Sequence, residues 1–418
     1  MIYTLKQKFL DNLIVFMLVM SSGGILFVFN RNLLYGFFVA ILSASYFLMR
    51  NKILKINFNS SIITLLILFS LLIINYLFAV NEQELNKYYY YFMVISVSVS
   101  SLMHFSDNKN RLLLSLYAVL RIIVVHSLLN FILFFFIKGN LSIISSTYHE
   151  CETFLNLFFY TTERGIFTLF GLEFCRNQGL FWEPGVLQVF LNIFFFLNAF
   201  IFKKNRFMLA LTAVAIVTTY STTGIALLLL QSLVYIFKEI KNNKLLVLIF
   251  LFFTIPVIMI FSLNIEEKVQ GEKEASFQKR LFDLTQPFFI AVEYPLTGIG
   301  LDLNQFQKMR EEFYFSSANL DALQDQIGVD SKTAGTDKGS SNSIMFLFAT
   351  MGFPTTIIFL FMFFNQQIII DTKWLFMIII LISVMSEPLL LRPFFFIFIA
   401  SGFTKFFHRI TSHKQQLS

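Results

Sequence analysis

Charge, cysteine and proline are all scarce in this chain of 418 residues: 14% of positions are Asp, Glu, Lys or Arg, and there are two Cys and seven Pro. A soluble domain carries about 25% charged residues, so a soluble globular protein is excluded. Two cysteines, even with His149 close to Cys151, match none of the usual zinc-ligand spacings, which argues against a metal site. No GxxxxGK[ST] loop occurs and no glycine-rich turn follows a strand, so ATP-driven transport by this chain alone is disfavoured. No internal repeat is visible, and the ionisable residues do not spread along a path through the apolar segments, which weighs against a flippase.

What the chain does contain is apolar surface: 56% hydrophobic residues, 57 of them Phe, and a mean hydropathy of +0.71. The Phe runs read as lipid-facing and interhelical filling. Apolar runs long enough for a hydrocarbon core of about 30 Å fall near 10–29, 32–49, 60–80, 88–104, 112–137, 182–202, 207–220, 223–237, 245–263, 342–364, 373–386 and 389–404. The expectation is an all-α polytopic membrane protein with about twelve transmembrane helices and two outer-face loops, the second large and partly helical. The pairs 207–220/223–237 and 373–386/389–404 also admit a reading as re-entrant hairpins.

Orientation follows from where Lys and Arg collect, because basic loops stay on the cytoplasmic side. Lys6 and Lys8, Arg50, Lys52 and Lys55, Lys109 and Arg111, Lys203, Lys204 and Arg206, Lys238, Lys241 and Lys244, and Lys405, Arg409 and Lys414 all fall on one side, against Arg31, Lys87 and Arg392 on the other. Both termini are therefore expected in the cytoplasm. The same distribution explains the formal charge of +7 without nucleic acid: the cations set topology and meet anionic membrane lipid. Lys6 and Lys8 before a long apolar run read as a first span rather than a cleaved signal. The expected segments are N-terminal spans 1–137, a first outer loop 138–181, central spans 182–263, a large outer loop 264–341, and C-terminal spans with a cytoplasmic tail 342–418.

The first loop holds both cysteines, Cys151 and Cys175, which are candidates for a disulfide on an oxidising side of the membrane; the alternative is two unrelated apolar thiols. Its aromatic pieces are expected to lie at the interface as short amphipathic helices. The loop ends in RNQGLFWEPG, residues 176–185. Pro184 suits the first turn of a helix and Glu183 the position before it, so Glu183 reads as a helix cap. It also reads as a proton acceptor for a hydroxyl nucleophile, with Arg176 clamping phosphate oxygens through its fork.

In the second loop Arg280 heads a helical stretch, PLTGIG at 295–300 is a turn signal, and the segment from Glu311 to Ser340 has loop character. Arg121, inside a span, should face the bundle and pair with Glu387 or a lipid phosphate, or else reach back to the cytoplasmic interface. Glu387 and Arg392 in the last outer turn, with Asn342 at the re-entry point, are further cavity candidates. His104, His126, His408 and His413 read as structural or solvated.

The order RNQGLFWEPG, YSTTG, Arg280 with AVEYPLTGIGL, then SSNSIMFLFATMGFPTTIIFLF resembles the O-antigen polymerase and ligase superfamily of bacterial envelope glycosyltransferases, over about residues 170–365. The resemblance implies that Arg176 and Arg280 hold the pyrophosphate of a polyprenyl-pyrophosphate-linked oligosaccharide in the inner membrane, with no cofactor, and that a chain-length regulator is a partner. The ligase branch of that superfamily carries a His just before the Asn that opens the span after the long loop. Here Ser341 precedes Asn342. The expected function is therefore a polymerase of O-antigen or capsule repeat units, with the ligase and a flippase of lipid-linked sugars as alternatives.

Overall fold

The computed structural model describes residues 5–49, 55–146, 149–162, 166–169, 172–240, 255, 257–263, 265, 274–316 and 339–417. The expected span 245–263 therefore lies largely outside the described residues, as does most of the Glu311–Ser340 segment. Among the described residues five helices are long and apolar enough to cross a membrane, within Arg31–Leu48, Phe58–Phe78, Lys109–Asn140, Pro184–Phe202 and Ser343–Phe364. Three shorter apolar helices accompany them, Arg206–Thr218, Thr222–Lys238 and Lys373–Ser386. The chain is an all-α membrane protein in its apolar segments, and the count of about twelve crossings rests on the sequence.

Chain contacts divide the protein into two compact units, residues 1–37, 110–266 and 369–383, and residues 38–109, 267–368 and 384–418. In the first unit, α1 (Leu5–Met20) and α2 (Ile25–Phe29) replace the single expected span 10–29. The break is chemical in origin. Ser21 and Ser22 hydroxyls turn back to the Leu18 carbonyl, and Gly23 takes φ +153°, which a side chain would resist. A Cβ there would also stand 2.4 Å from Val186 Cγ1. The opened backbone pairs with the stretch before Glu183: Trp182 N–H donates to the Gly23 carbonyl at 3.2 Å and Ile25 N–H to the Leu180 carbonyl at 2.8 Å.

Helix α6 (Lys109–Ile137) is tied to α1 by a buried pair, Arg111 donating to both Asp11 oxygens at 2.6 and 2.9 Å. Arg111, expected among loop cations, is thus an internal residue. Arg121 lies on an exposed face of the same helix. After α6 the first loop departs from expectation. Instead of interfacial helices it forms β1 (Ser142–Ser145), β2 (Glu150–Phe154) and β3 (Phe158–Thr161) in one antiparallel sheet, and β4 (Ile166–Leu169) with β5 (Leu172–Cys175) in a hairpin. The cause is a period of two: in ECETF, Cys151 and Thr153 are buried while Glu150 faces solvent. His126, read as mid-span, reaches this sheet, its Nε2 lying 2.8 Å from the Leu157 carbonyl and its ring stacked on Phe158.

Three packed helices follow in this unit: α7 (Pro184–Phe196), continued by a π-helical turn to Phe202, α8 (Arg206–Thr218) and α9 (Thr222–Tyr235). Tyr220 at φ +49° and Ser221, whose hydroxyl accepts from Gly224 N–H, separate α8 from α9 as two helices.

The second unit holds most of α3 (Arg31–Met49), with α4 (Lys55–Phe78), α5 (Leu85–His104), α10 (Glu274–Glu293), α11 (Leu303–Ser316), α12 (Ser343–Phe364) and α14 (Pro393–Leu417); α13 (Lys373–Ser386) belongs mainly to the first. The EEFYFS stretch, expected as loop, is the last part of α11. PLTGIG is a turn, and it is also an insert. Gly352 opens α12 with φ +73° and ψ 172°, and the turn docks there, Phe353 N–H donating to the Pro295 carbonyl at 2.8 Å and Ile299 N–H to the Ala349 carbonyl at 2.9 Å. A Cβ on Gly352 would meet the Leu296 carbonyl oxygen at 2.3 Å, so only glycine permits the approach. Asn75 donates to the carbonyls of both Thr297 and Thr350, and Tyr88 receives the Leu301 N–H, which fixes the start of α11.

Candidate functional site

In the first unit the segment from Arg176 to Glu183 is held by its neighbours rather than left as a loop. Asn177 is the fastening: its Nδ2 donates to the Ser127 carbonyl at 2.8 Å and the Thr218 hydroxyl at 2.9 Å, and its N–H to the Thr218 carbonyl at 3.0 Å. Arg176 is half-buried, with Nε donating to the Thr219 carbonyl at 3.1 Å. Gln178 is fully buried and neither of its amide atoms has a partner among the described residues. Nothing in the sequence set Gln178 apart; its cost as an unpaired buried amide is visible only after folding.

Glu183 occupies the N-cap position of α7 with Pro184 behind it, yet its side chain makes no cap bond. Its backbone carbonyl accepts from Val186 and Leu187, and its carboxylate accepts from the Trp182 indole at 2.8 Å. Cap by position, the residue makes no further carboxylate hydrogen bond among the described residues. Burial holds the His149 imidazole below its usual range, the Glu183 charge acting in the opposite direction.

The two thiols are free and do not form the disulfide considered from sequence. Strand β3 lies between them: Thr161 is the register partner of Cys151 on one edge, and Tyr160 pairs with Asn177 on the other. Two strand spacings are about 10 Å, beyond the roughly 7 Å limit for bridged Cα atoms. Cys175 instead donates to the Thr161 carbonyl at 3.2 Å. Burial pushes the Cys151 thiol up to about 11, helped by Glu150 and Glu152, and burial also raises Cys175. Both cysteines are therefore expected to alkylate at least tenfold more slowly at neutral pH in the native protein than after denaturation, and a Cys151→Ser, Cys175→Ser variant is expected to run identically with and without reductant.

The second unit gathers a different set. Arg280 is half-buried on α10, without a hydrogen-bond or ion-pair partner among the described residues. One turn on, Asp283 is fully buried and accepts from Ser341 N–H at 2.9 Å, the Ser341 hydroxyl at 2.8 Å and Arg310 Nη2 at 3.0 Å. Arg310 also donates to Gln286 Oε1 and the Gly339 carbonyl, both at 2.6 Å, and lies over the rings of Phe282 and Phe306. This knot joins α10, α11 and the entry to α12. Neither Asp283 nor Arg310 stood out in the sequence, where each reads as one more charge in a polar loop. The signal available was weak: Arg310 falls within the helical spacing of LNQFQKMREEF.

The cavity candidates each make local contacts. Asn342 caps α12, its Oδ1 accepting from Ile344 and Met345 N–H. Glu387 is buried, and its carbonyl accepts the Ser343 hydroxyl at 2.8 Å. Arg392 donates to the Tyr90 hydroxyl at 2.6 Å and lies over that ring. A buried acid the sequence did not mark is Asp302, whose Oδ1 accepts from Asn304 N–H at the start of α11 and whose Oδ2 has no partner among the described residues. Among the described residues no three His, Cys, Asp or Glu side chains come together as metal ligands.

Residues 207–360 match the family model described as O-antigen ligase. This stretch of the chain is similar to the O-antigen ligase family, in agreement with the superfamily resemblance of its motifs. The matched stretch runs from α8 into α12, so it contains Arg280, Asp283, Arg310, Ser341 and Asn342, and leaves Arg176 and Glu183 outside. The match supports a ligase- or polymerase-type function in envelope polysaccharide assembly and does not separate the two. No curated protein matches it.

Proposed function

We propose that this protein is a polymerase that joins polyprenyl-pyrophosphate-linked oligosaccharide repeat units into O-antigen or capsule on the outer face of the bacterial inner membrane. The observation that carries the reading is Arg280. Within the matched segment Arg310 is buried in a protein ion pair, whereas Arg280 has no hydrogen-bond or ion-pair partner among the described residues, and a free fork there suits a doubly charged pyrophosphate. Arg176, in the first unit, is proposed as a pyrophosphate ligand on the strength of the motif resemblance.

In the reaction the growing chain is the donor. A hydroxyl of the incoming repeat unit attacks the anomeric carbon at the donor's reducing end, the bond to polyprenyl pyrophosphate breaks, and the bonding pair leaves with the pyrophosphate. That leaving group is already activated, so the chemistry needs cations to stabilise the departing charge and a carboxylate to take the hydroxyl proton, with no cofactor. Glu183 is proposed for the proton because its carboxylate is held at one oxygen by Trp182 while the side chain leaves the helix end uncapped.

Polymerase is preferred to ligase because of Ser341. Its hydroxyl donates to Asp283, so this position supplies no base where the ligase branch has a His. The purified chain, given one lipid-linked repeat unit, is expected to produce a ladder of longer products. Transfer to a lipid core without elongation would establish the ligase instead, and a chain that moves the lipid-linked unit across vesicles without reaction would establish a flippase. A chain-length regulator is a proposed partner.

A further inference from the structure

Strand β3 does not extend beyond the end of α6 but runs back along its flank. The Tyr160 hydroxyl donates to the Asn130 carbonyl at 3.0 Å, the Asn130 amide exchanges bonds with the Phe159 backbone at 3.1 and 3.2 Å, and His126, one turn lower on α6, reaches the Leu157 carbonyl. Each step toward the β2–β3 turn is thus a step back toward the start of α6. At a rise of about 1.5 Å per residue, His126 stands about 16 Å short of the helix end at Ile137. Helix α6 belongs to an apolar segment, Lys109–Asn140, long enough to cross a membrane. A hydrocarbon core of about 30 Å takes about twenty residues of helix, so even a crossing that begins at Lys109 extends to Leu129. His126 and the turn it holds lie below that level. Tilt, or a crossing that begins later, only places them deeper.

The chemistry of the turn fits that depth. Leu155 and Asn156 take φ +54° and +53°, a left-handed pair for which Gly and Asn are the favoured residues. Asn156 suits the conformation and Leu155 does not, yet Leu155 is 70% exposed and Leu157 56%. A turn surrounded by water gains nothing from two such leucines. No charged residue occurs from Thr153 to Thr162, whereas Glu150 and Glu152 sit on β2 away from the turn. Backbone polar groups in hydrocarbon must be satisfied within the protein, and here the Leu157 N–H donates to the Phe154 carbonyl at 3.2 Å while the Leu157 carbonyl accepts from His126 Nε2 at 2.8 Å. Ile122, Val125 and Leu129 of α6 are exposed around His126 as well, so the two leucines enlarge an apolar face that the span already presents.

We infer that the β2–β3 turn is inserted into the bilayer, with Leu155 and Leu157 in contact with phospholipid acyl chains, and that it anchors the strand whose Tyr160 pairs with Asn177. The contact is independent of the polymerase reading, and its test needs no activity. Leu157→Cys in the full chain, carrying a thiol-linked fluorophore and reconstituted into phosphatidylcholine vesicles, is expected to be quenched about threefold more strongly by lipid brominated along the acyl chain than by aqueous iodide, since an ion does not enter hydrocarbon. Glu150→Cys with the same label, on exposed backbone at the far end of β2, is expected to show the reverse order. Stronger quenching by iodide at position 157 would overturn the insertion, and so would protection from both quenchers, the outcome if a second copy of the chain covers the turn. Should the labelled variant fail to fold, the unmutated chain decides: phosphatidylcholine with a photoreactive acyl chain is expected to label residues 155–157, and labelling of α6 without them would refute the contact.

Discussion

Replacing Arg280 by Ala is expected to lower repeat-unit addition by about a hundred- to a thousandfold, the range for removing one preorganised donor from a developing anion. The side chain is half-buried and makes no bond to the described protein, so its loss should leave folding intact and fall on catalysis. Arg280→Lys keeps the charge and loses the fork, so an intermediate rate is expected. In cells, Arg280→Ala should leave single repeat units attached where long polysaccharide stood before. Arg176→Ala is expected to act in the same direction, and more weakly if the contact to the Thr219 carbonyl holds its backbone role. Chain-length ladders unchanged in both variants would end the pyrophosphate assignment.

Asp283→Ala should instead unfold the second unit. Removing one partner of a buried ion pair costs about 3–5 kcal/mol, because the other charge stays in place without compensation. Here the same substitution also strands the Ser341 N–H and hydroxyl, since all three donors converge on one carboxylate. The side chains of Arg310 and Asp283 are 5% and 0% exposed, so solvent cannot replace the lost partner. A marked fall in thermal midpoint in detergent is expected for Asp283→Ala, with Arg310→Ala close behind. The double variant Asp283→Leu, Arg310→Met should recover a large part of the loss, as apolar replacements of buried pairs do. If Asp283→Ala melts with the unmodified protein and loses only activity, Asp283 is a member of the reaction chemistry and the structural account fails.

These two outcomes separate two arginines of one polar segment, of which the sequence marks only Arg280. Arg280 is marked by its place at the head of a helical stretch, but neither period nor neighbours predict that Arg310 is held by Asp283, Gln286 and Gly339 while Arg280 has no partner among the described residues. The same ambiguity surrounds Glu183. Its place before Pro184 marks a helix start from sequence alone, but the turn of its carboxylate toward Trp182 depends on how the 180–182 stretch pairs with the break at Gly23.

Hydropathy and charge act locally along the chain, and that is why the sequence by itself determined the membrane class, the order of the apolar helices, the helix start at Pro184 and the superfamily motifs. Partners distant along the chain are another matter. Asp283 meets Arg310 across 27 residues and Ser341 across 58, and Asp11 meets Arg111 across 100. No local pattern specifies such pairs, because a buried charge is tolerated only where another element brings its counter-charge, and which faces meet is settled by packing. The strands of the first loop, the separation of Cys151 from Cys175 and the opening of α12 at Gly352 for the PLTGIG turn were decided in the same way, by tertiary structure.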